Sequence, residues 1–205
     1  DALKFGIANL ETHITNMQKY TKNIVVCLNK FQTDTKNEIE FVKDYCKKLG
    51  CKFQISTSYT DGGKGAIDVA KEIINLCENE VDYKPLYDLN LNIYEKIEKV
   101  AKEIYQAASI TISSKAKEKI DLYTKNNYAN LPICIAKTQY SLTDNKDILG
   151  SPKNFNMTVT DVRLAAGAGF IIVLMGYIMT MPGLSKNPAY LNMKFSDNAK
   201  ISGLY

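Results

Sequence analysis

The feature that most constrains this chain is the stretch from Leu164 to Ser185, which carries no charged side chain. A stretch of this length can cross a bilayer, since about 20 apolar residues in a helix span the hydrocarbon core, and Arg163 and Lys186 flank it as interfacial anchors would. Glycines divide it, however, into short pieces that contain β-branched residues. Such pieces are typical of a buried strand with turns at its ends, and Met181–Leu184 is predicted to be one of these turns. The pattern therefore favours a strand buried in protein over a membrane helix.

Length and composition predict a folded protein. The 205 residues, 45% of them hydrophobic, suffice for one large domain or parts of two. No basic segment followed by an apolar stretch opens the chain, so we predict no signal peptide and a cytoplasmic protein, with a mitochondrial location left open. The chain begins at Asp1 without an initiator methionine, from which we expect a fragment or a processed piece.

The distribution of charge argues against a nucleic-acid partner. The net charge is +4, and the lysines are spread along the sequence instead of forming a cluster, as on a solvated surface. Five cysteines without a CxxC pair, together with the single histidine His13, favour neither a disulfide framework nor a metal site. We therefore predict no metal site, no nucleic-acid partner and no membrane partner.

Arg163 is the one arginine in a lysine-rich chain. Its guanidinium is a planar donor that lysine cannot replace. We predict that it supports the structure through at least two hydrogen bonds between C-terminal strands, and a ligand contact is the alternative.

Hydrophobic periodicity predicts alternating helices and strands in the first third of the chain. The predicted helices cover residues 6–20, 35–49 and 66–77, and the predicted strands are Asn23–Leu28 and Cys51–Ile55. Thr35 and Glu38 have the spacing of a capping box. This order predicts a βαβ unit with parallel strands.

After Pro85 the pattern changes. Two predicted helices, 93–105 and 114–123, are followed by strand-like pieces at 133–136, 157–162 and 170–174. We place a domain boundary near Gly62–Gly65.

Polar residues follow the first predicted strand. In doubly wound sheets, ligands bind at the carboxyl ends of strands, and Asn29 and Lys30 lie at this end. Such a pair contacts the base in the Asn-Lys-x-Asp element of GTPases, but the aspartate is missing at that spacing here. A nucleotide contact and a simple capped loop therefore remain equal alternatives.

Phe31 and Tyr59 follow the two neighbouring strand ends. Two rings so placed can hold a flat heterocycle, although aromatic pairs more often belong to a core. Gly62–Gly65 opens a helix and can hold an anion through backbone N–H groups. Its spacing is not that of a phosphate-binding loop, and GxxxxGK[ST] is absent from this sequence. We therefore expect any such loop to lie outside it.

Three later segments together point to a particular family. Lys137–Ser141 directly follows an apolar strand, and Gly150–Phe155 and Asp161–Arg163 come after it along the chain. Over essentially all its length the chain resembles the C-terminal part of formate–tetrahydrofolate ligase. The resemblance is carried, in order, by FGIANLETHI, NKFQTDT, GGKG, LPICIAKTQYS, DVRLAAGAGF, IMTMPGL and ISGLY.

The resemblance implies an α/β fold in two parts. Residues 1–63 would be the last part of a P-loop-type nucleotide- and folate-binding domain with a doubly wound parallel sheet, and residues 64–205 a smaller mixed α/β C-terminal domain. The family joins formate, ATP and tetrahydrofolate through formyl phosphate to give 10-formyltetrahydrofolate, ADP and phosphate. Its phosphate-binding loop lies far upstream, so we expect no catalytic residue in this segment and no activity of the segment alone.

The resemblance also implies site residues. Phe31 and Tyr59 match the two aromatic positions that stack on the folate substrate, and Tyr59 replaces the usual tryptophan. Nucleotide contacts are expected at Asn29 and Lys30 and, in a loop where Ser151 replaces the usual arginine, at Ser151, Pro152 and Phe155.

The implied substrates are formate, tetrahydrofolate and ATP with Mg²⁺, without a prosthetic group, and the complete enzyme is expected to form a homo-oligomer. The alternative from another class is a non-catalytic nucleotide-binding or scaffolding module of the same fold.

Overall fold

The computed structural model describes residues 1–178, 185–196 and 201–203. The helices of this part are α1 (Ala2–Met17), α2 (Lys36–Lys48), α3 (Ser58–Asp61), α4 (Ile67–Cys77), α5 (Ile93–Glu103) and α6 (Ser114–Lys125), with 3₁₀ helices at Gly62–Ala66 and Ala189–Asn192. The strands are β1 (Val25–Asn29), β2 (Lys52–Ser56), β3 (Ser109–Ile112), β4 (Ile133–Ala136), β5 (Asn156–Ala165), β6 (Phe170–Met175), β7 (Lys194–Phe195) and β8 (Ile201–Ser202). The architecture is mixed α/β, with one purely parallel sheet, one mixed sheet and the two-stranded antiparallel sheet β7–β8.

The first sheet consists of β1 and β2, which pair in parallel from Val25 opposite Lys52 to Asn29 opposite Ser56. The predicted βαβ unit is therefore confirmed, and so is the capping box, because the Thr35 side chain accepts from the Glu38 N–H while the Glu38 carboxylate accepts from the Thr35 N–H. Helices α1 and α2 cover the sheet around the buried residues Ile7, Ile14, Val42, Cys46 and Cys51.

The second sheet has the strand order β3-β5-β6-β4. The outer pairs β3–β5 and β4–β6 are parallel, and the central pair β5–β6 is an antiparallel hairpin. Strand β3 was not predicted. The sheet packs on α5 and α6 around a core of Ile93, Ile97, Ala101, Ala107, Ala116, Ile120, Met157, Val159, Val162, Ile171, Val173 and Met175.

The uncharged stretch contains β6, whose residues Ile171, Val173 and Met175 are completely buried. Gly169 and Gly176 flank this strand with φ of +75° and +63°, a backbone conformation that favours glycine. The predicted buried strand with glycine turns is therefore confirmed. The predicted turn at Met181–Leu184 lies outside the described residues. Among the helices described here, none has the length and apolar character to span a membrane.

Arg163 does not have the predicted supporting role. Its side chain is exposed, and no hydrogen bond or ion pair joins it to another residue in the described ranges. The reason is an irregularity in the β5–β6 register between Val159 and Asp161. It leaves both Asp161 and Val162 buried, so Arg163 points to solvent. The buried charge on this strand is Asp161, which pairs with lysines of α6.

Two contacts bear on the division of the chain. Helix α4 follows the boundary predicted near Gly62–Gly65 but packs against β1 and β2. Helix α1 of the first part reaches the second, because the buried Asn16 side chain donates to the Ile104 carbonyl at 2.8 Å. The boundary itself stays a prediction.

Candidate functional site

The structure brings Phe31 and Tyr59 together at the carboxyl ends of β1 and β2. The ring centroids are 6.4 Å apart and the ring planes are inclined by 40°. The two side chains are 54% and 82% exposed, and they belong to neither of the two cores described above. Of the two interpretations that the sequence left open, an accessible ring pair is therefore the one that the geometry favours.

The loop that carries Phe31 is tied to both strands. The Lys30 N–H donates to the Ser56 carbonyl at 2.9 Å and extends the β1–β2 ladder by one residue. The Phe31 N–H donates to Asp34 Oδ2 at 2.8 Å, and the Asp34 N–H donates to the Phe31 carbonyl at 3.2 Å. The backbone of Phe31 is thereby fixed between β1 and the start of α2.

Tyr59 lies in the one-turn helix α3, where the sequence predicted only a strand end. The Thr57 hydroxyl donates to Asp61 Oδ2 at 2.6 Å, and the Thr57 N–H donates to the Gly65 carbonyl at 3.1 Å. A Cβ at Gly65 would lie 2.5 Å from the Thr57 carbonyl carbon. Glycine is therefore required here so that the 3₁₀ helix can pack against the turn that holds Tyr59.

Buried Ser56 connects the two loops. Its carbonyl binds the Phe31 loop through Lys30, and its hydroxyl lies 2.7 Å from that of Ser58, the residue before Tyr59. Sequence reasoning did not identify Ser56, although a serine that ends a strand beside a candidate site is a usable signal.

The ring pair can bind a flat heterocycle by stacking. Atoms in van der Waals contact lie about 3.5–4.0 Å apart, so a heterocycle between two parallel rings needs a centroid separation of about 7 Å. The observed 6.4 Å is close to this value, and the 40° inclination must decrease for a sandwich to form. The pair thus has the separation of a stacking platform, and its rings must rotate toward parallel to hold a heterocycle between them.

The candidate nucleotide residues lie on separate elements. Asn29 and Lys30 are exposed at the end of β1. In the loop before β5, the Ser151 hydroxyl lies 2.5 Å from the Thr12 hydroxyl of α1, Pro152 is half-buried, and Phe155 packs against the second core.

A cavity of about 750 Å³ lies at the carboxyl end of β4. The residues Lys137–Ser141 line it together with Tyr105 and with Asn9 and His13 of α1. Lys137 Nζ lies 5.0 Å from the centre of the Tyr105 ring and donates to the carbonyls of Thr138 and Ser141. Burial lowers the pKa of Lys137, an effect that Asp144 opposes. The sequence signalled Lys137–Ser141 as a strand-end segment, but the contribution of α1 depends on tertiary packing.

The chain is similar to known proteins over its whole length. The family model described as formate–tetrahydrofolate ligase matches residues 1–205. A formate–tetrahydrofolate ligase of Petrotoga mobilis is 44% identical over 204 residues, and one of Staphylococcus aureus strain JH9 is 42% identical over 205 residues. Both alignments cover 100% of this chain and 37% of the relative. The chain therefore spans little more than a third of the length of these curated relatives.

Proposed function

Because this chain belongs to the formate–tetrahydrofolate ligase family, we propose that it is part of the ATP-dependent ligase that joins formate to tetrahydrofolate. The products of that reaction are 10-formyltetrahydrofolate, ADP and phosphate. The names of the relatives favour this function over a non-catalytic scaffolding module. Since the match covers 37% of each relative and GxxxxGK[ST] does not occur in the sequence, we assign the phosphate and formate chemistry to the rest of a longer enzyme. This segment alone would then be inactive.

The proposed role of the first part is to complete a P-loop-type, doubly wound domain, with a division from the C-terminal domain near residue 63. Two strands alone make a marginal sheet. Exposed apolar residues on and around the β1–β2 unit support a larger domain that would cover them. They are Ile67, Ile73 and Ile74 of α4, together with Val81.

We assign tetrahydrofolate to the ring pair Phe31 and Tyr59. The observation that carries this assignment is the exposed, 6.4 Å pair at two adjacent strand ends, because the pterin of a folate is a flat heterocycle. Tyrosine has a smaller stacking surface than the tryptophan expected from the family resemblance.

ATP would contact Asn29, Lys30, Ser151, Pro152 and Phe155. The part of the chain that the structure describes contains no group of three or more His, Cys, Asp or Glu residues placed to hold a metal. We propose that Mg²⁺ accompanies ATP as part of the substrate. A cytoplasmic location and a homo-oligomeric enzyme complete the proposal.

The test is alanine substitution of the ring pair in a full-length ligase that carries this segment. Stacking of a base on an aromatic ring contributes about 1–3 kcal/mol, and about 1.4 kcal/mol corresponds to a factor of ten. Tyr59→Ala and Phe31→Ala should each raise the tetrahydrofolate KM about tenfold and leave the ATP KM nearly unchanged. Tyr190→Ala, which removes an exposed tyrosine from the C-terminal part, is the control. An unchanged tetrahydrofolate KM in both ring variants would refute the assignment.

A further inference from the structure

We propose that Asp34 is a positioning residue that holds the Phe31 ring at stacking distance from Tyr59. The inference rests on the proposed folate site and adds a residue that does not itself touch the substrate. It follows from the hydrogen bonds around Phe31.

Both backbone polar groups of Phe31 bind Asp34. The carboxylate accepts from the Phe31 N–H at 2.8 Å, while the Phe31 carbonyl accepts from the Asp34 N–H at 3.2 Å. The second bond closes an ordinary turn that any residue can form. The first depends on the side chain, and a bond to a carboxylate is stronger than one between neutral groups.

The Asp34 carboxylate makes no ion pair within the described residues, although the loop contains Lys30 and Lys36 follows it. Among the described residues, the side-chain hydrogen bond of Asp34 is the one that it accepts from the Phe31 N–H. The Asp34 carboxylate therefore stabilises the conformation of the loop and takes no part in a salt bridge among the described residues.

The start of α2 is held independently of Asp34. Thr35 and Glu38 form the capping box with each other, and both side chains face the helix backbone. A change at Asp34 thus alters the position of Phe31 without removing the cap of α2. A change at Thr35 removes the cap of α2 and leaves the two hydrogen bonds between Phe31 and Asp34 in place.

The ring separation makes this position important. The centroids already lie within about 1 Å of the spacing for a sandwiched heterocycle, and binding groups act best when held within about 0.5 Å of the productive geometry. A Phe31 backbone released from Asp34 would sample positions outside that range. The affinity for the flat substrate should fall while the chemistry on bound substrate continues.

The experiment compares three variants of a full-length ligase that carries this segment. Asp34→Ala should raise the tetrahydrofolate KM about threefold to tenfold, as expected for loss of one hydrogen bond, with kcat and the ATP KM unchanged. Asp34→Asn should restore most of the affinity, because its amide oxygen can accept from the Phe31 N–H. Thr35→Ala should lower thermal stability and leave the tetrahydrofolate KM unchanged.

Hydrogen exchange gives a second measurement. The Phe31 amide should exchange faster in Asp34→Ala than in wild type and be protected again in Asp34→Asn. An unchanged exchange rate, or a KM increase of equal size in Thr35→Ala, would overturn the inference. If Phe31→Ala raises the KM and Asp34→Ala does not, Asp34 has no positioning role. If Phe31→Ala also has no effect, the folate assignment itself fails.

Discussion

At the scale of single residues, the charged group that matters in the second sheet is Asp161 and not Arg163. The Asp161 carboxylate is 12% exposed and lies 2.6 Å from Lys119 Nζ and 3.0 Å from Lys115 Nζ. It also accepts from the Val162 N–H at 2.9 Å. Burial would raise the pKa of Asp161, but the hydrogen bonds from the two lysines outweigh it and hold the pKa below its ordinary value of 3.8.

This arrangement predicts an acid-dependent contribution to stability. Because the folded state lowers the pKa of Asp161, the stabilisation is present above about pH 4 and is lost as the pH falls through the folded-state value. Asp161→Asn should reduce the free energy of unfolding at pH 7 by about 1–3 kcal/mol. The difference from wild type should shrink as the pH falls below 3.8.

Urea unfolding at a series of pH values measures this effect. Asp68→Asn is the matched control, because Asp68 is exposed and lies 3.9 Å from the exposed Lys71. Exposed pairs of this kind contribute about 0–1 kcal/mol, so its effect should be small and nearly independent of pH. Equal losses in the two variants would contradict the role given to Asp161.

At the scale of elements, a glycine determines how the β5–β6 hairpin meets the loop after β4. Gly176 ends β6 with φ +63°, and a Cβ on it would clash with the Asp144 carbonyl oxygen. Asp144 in turn accepts from the Thr158 N–H of β5 at 2.8 Å, so the contact joins the loop to the centre of the sheet. The left-handed backbone and the close approach both require glycine.

Gly176→Ala should therefore lower the free energy of unfolding by at least about 2 kcal/mol, since a left-handed conformation alone costs a residue with a side chain about 1–2 kcal/mol. Gly167→Ala is the control in the neighbouring turn, because Gly167 has ordinary φ and open space around its Cα. Chemical denaturation of both variants measures the difference. Similar stability of the two would show that the loop after β4 moves aside at little cost.

Local sequence signals explain why some elements could be predicted and others could not. The βαβ unit was predictable because β1 is a short apolar run and Thr35 and Glu38 have a local capping spacing. Strand β6 was predictable from the glycines that bound it. Strand β3 was missed because its four residues mix polar and apolar side chains, and its pairing with β5 joins residues far apart in sequence.

At the scale of the whole molecule, long-range packing explains the remaining failures. Lys96 is completely buried in α5 and donates to the carbonyls of Ala129 and Leu131, although a lysine in a helix is expected at the surface. The exposed Arg163 follows from a register irregularity that has no local signature. In the candidate site, the two ring positions were predictable from strand ends. The hydrogen bond from the Lys30 N–H to the Ser56 carbonyl, which joins the two loops, was not, because it connects residues far apart in sequence.

Helix α1 connects the two sheets. It buries Ile7 and Ile14 against the first sheet's core, and its last turn reaches the end of α5, where Asn16 binds the Ile104 carbonyl. Lys19, just after the helix, binds Glu103 at 2.9 Å. The pair Lys19–Glu103 is partly exposed and contributes little. The buried bond of Asn16 is therefore the stronger link.

Asn16→Ala should increase hydrogen exchange at the contact between α1 and α5 more than in either sheet. Loss of a buried partner costs about 1–3 kcal/mol, because the Ile104 carbonyl is left without its donor. Hydrogen exchange followed by mass spectrometry should show faster exchange in the last turn of α1 and in residues 104–107. Peptides from β5 and β6 should exchange as in wild type.

Asn9→Ala is the control on the same helix, since Asn9 donates only to the Gly6 carbonyl of α1 itself among the described residues. Faster exchange confined to the α1–α5 contact in Asn16→Ala, and absent in Asn9→Ala, would establish this contact as a connection between the two parts of the chain. A uniform increase over the whole chain would show instead that Asn16 contributes to global stability alone.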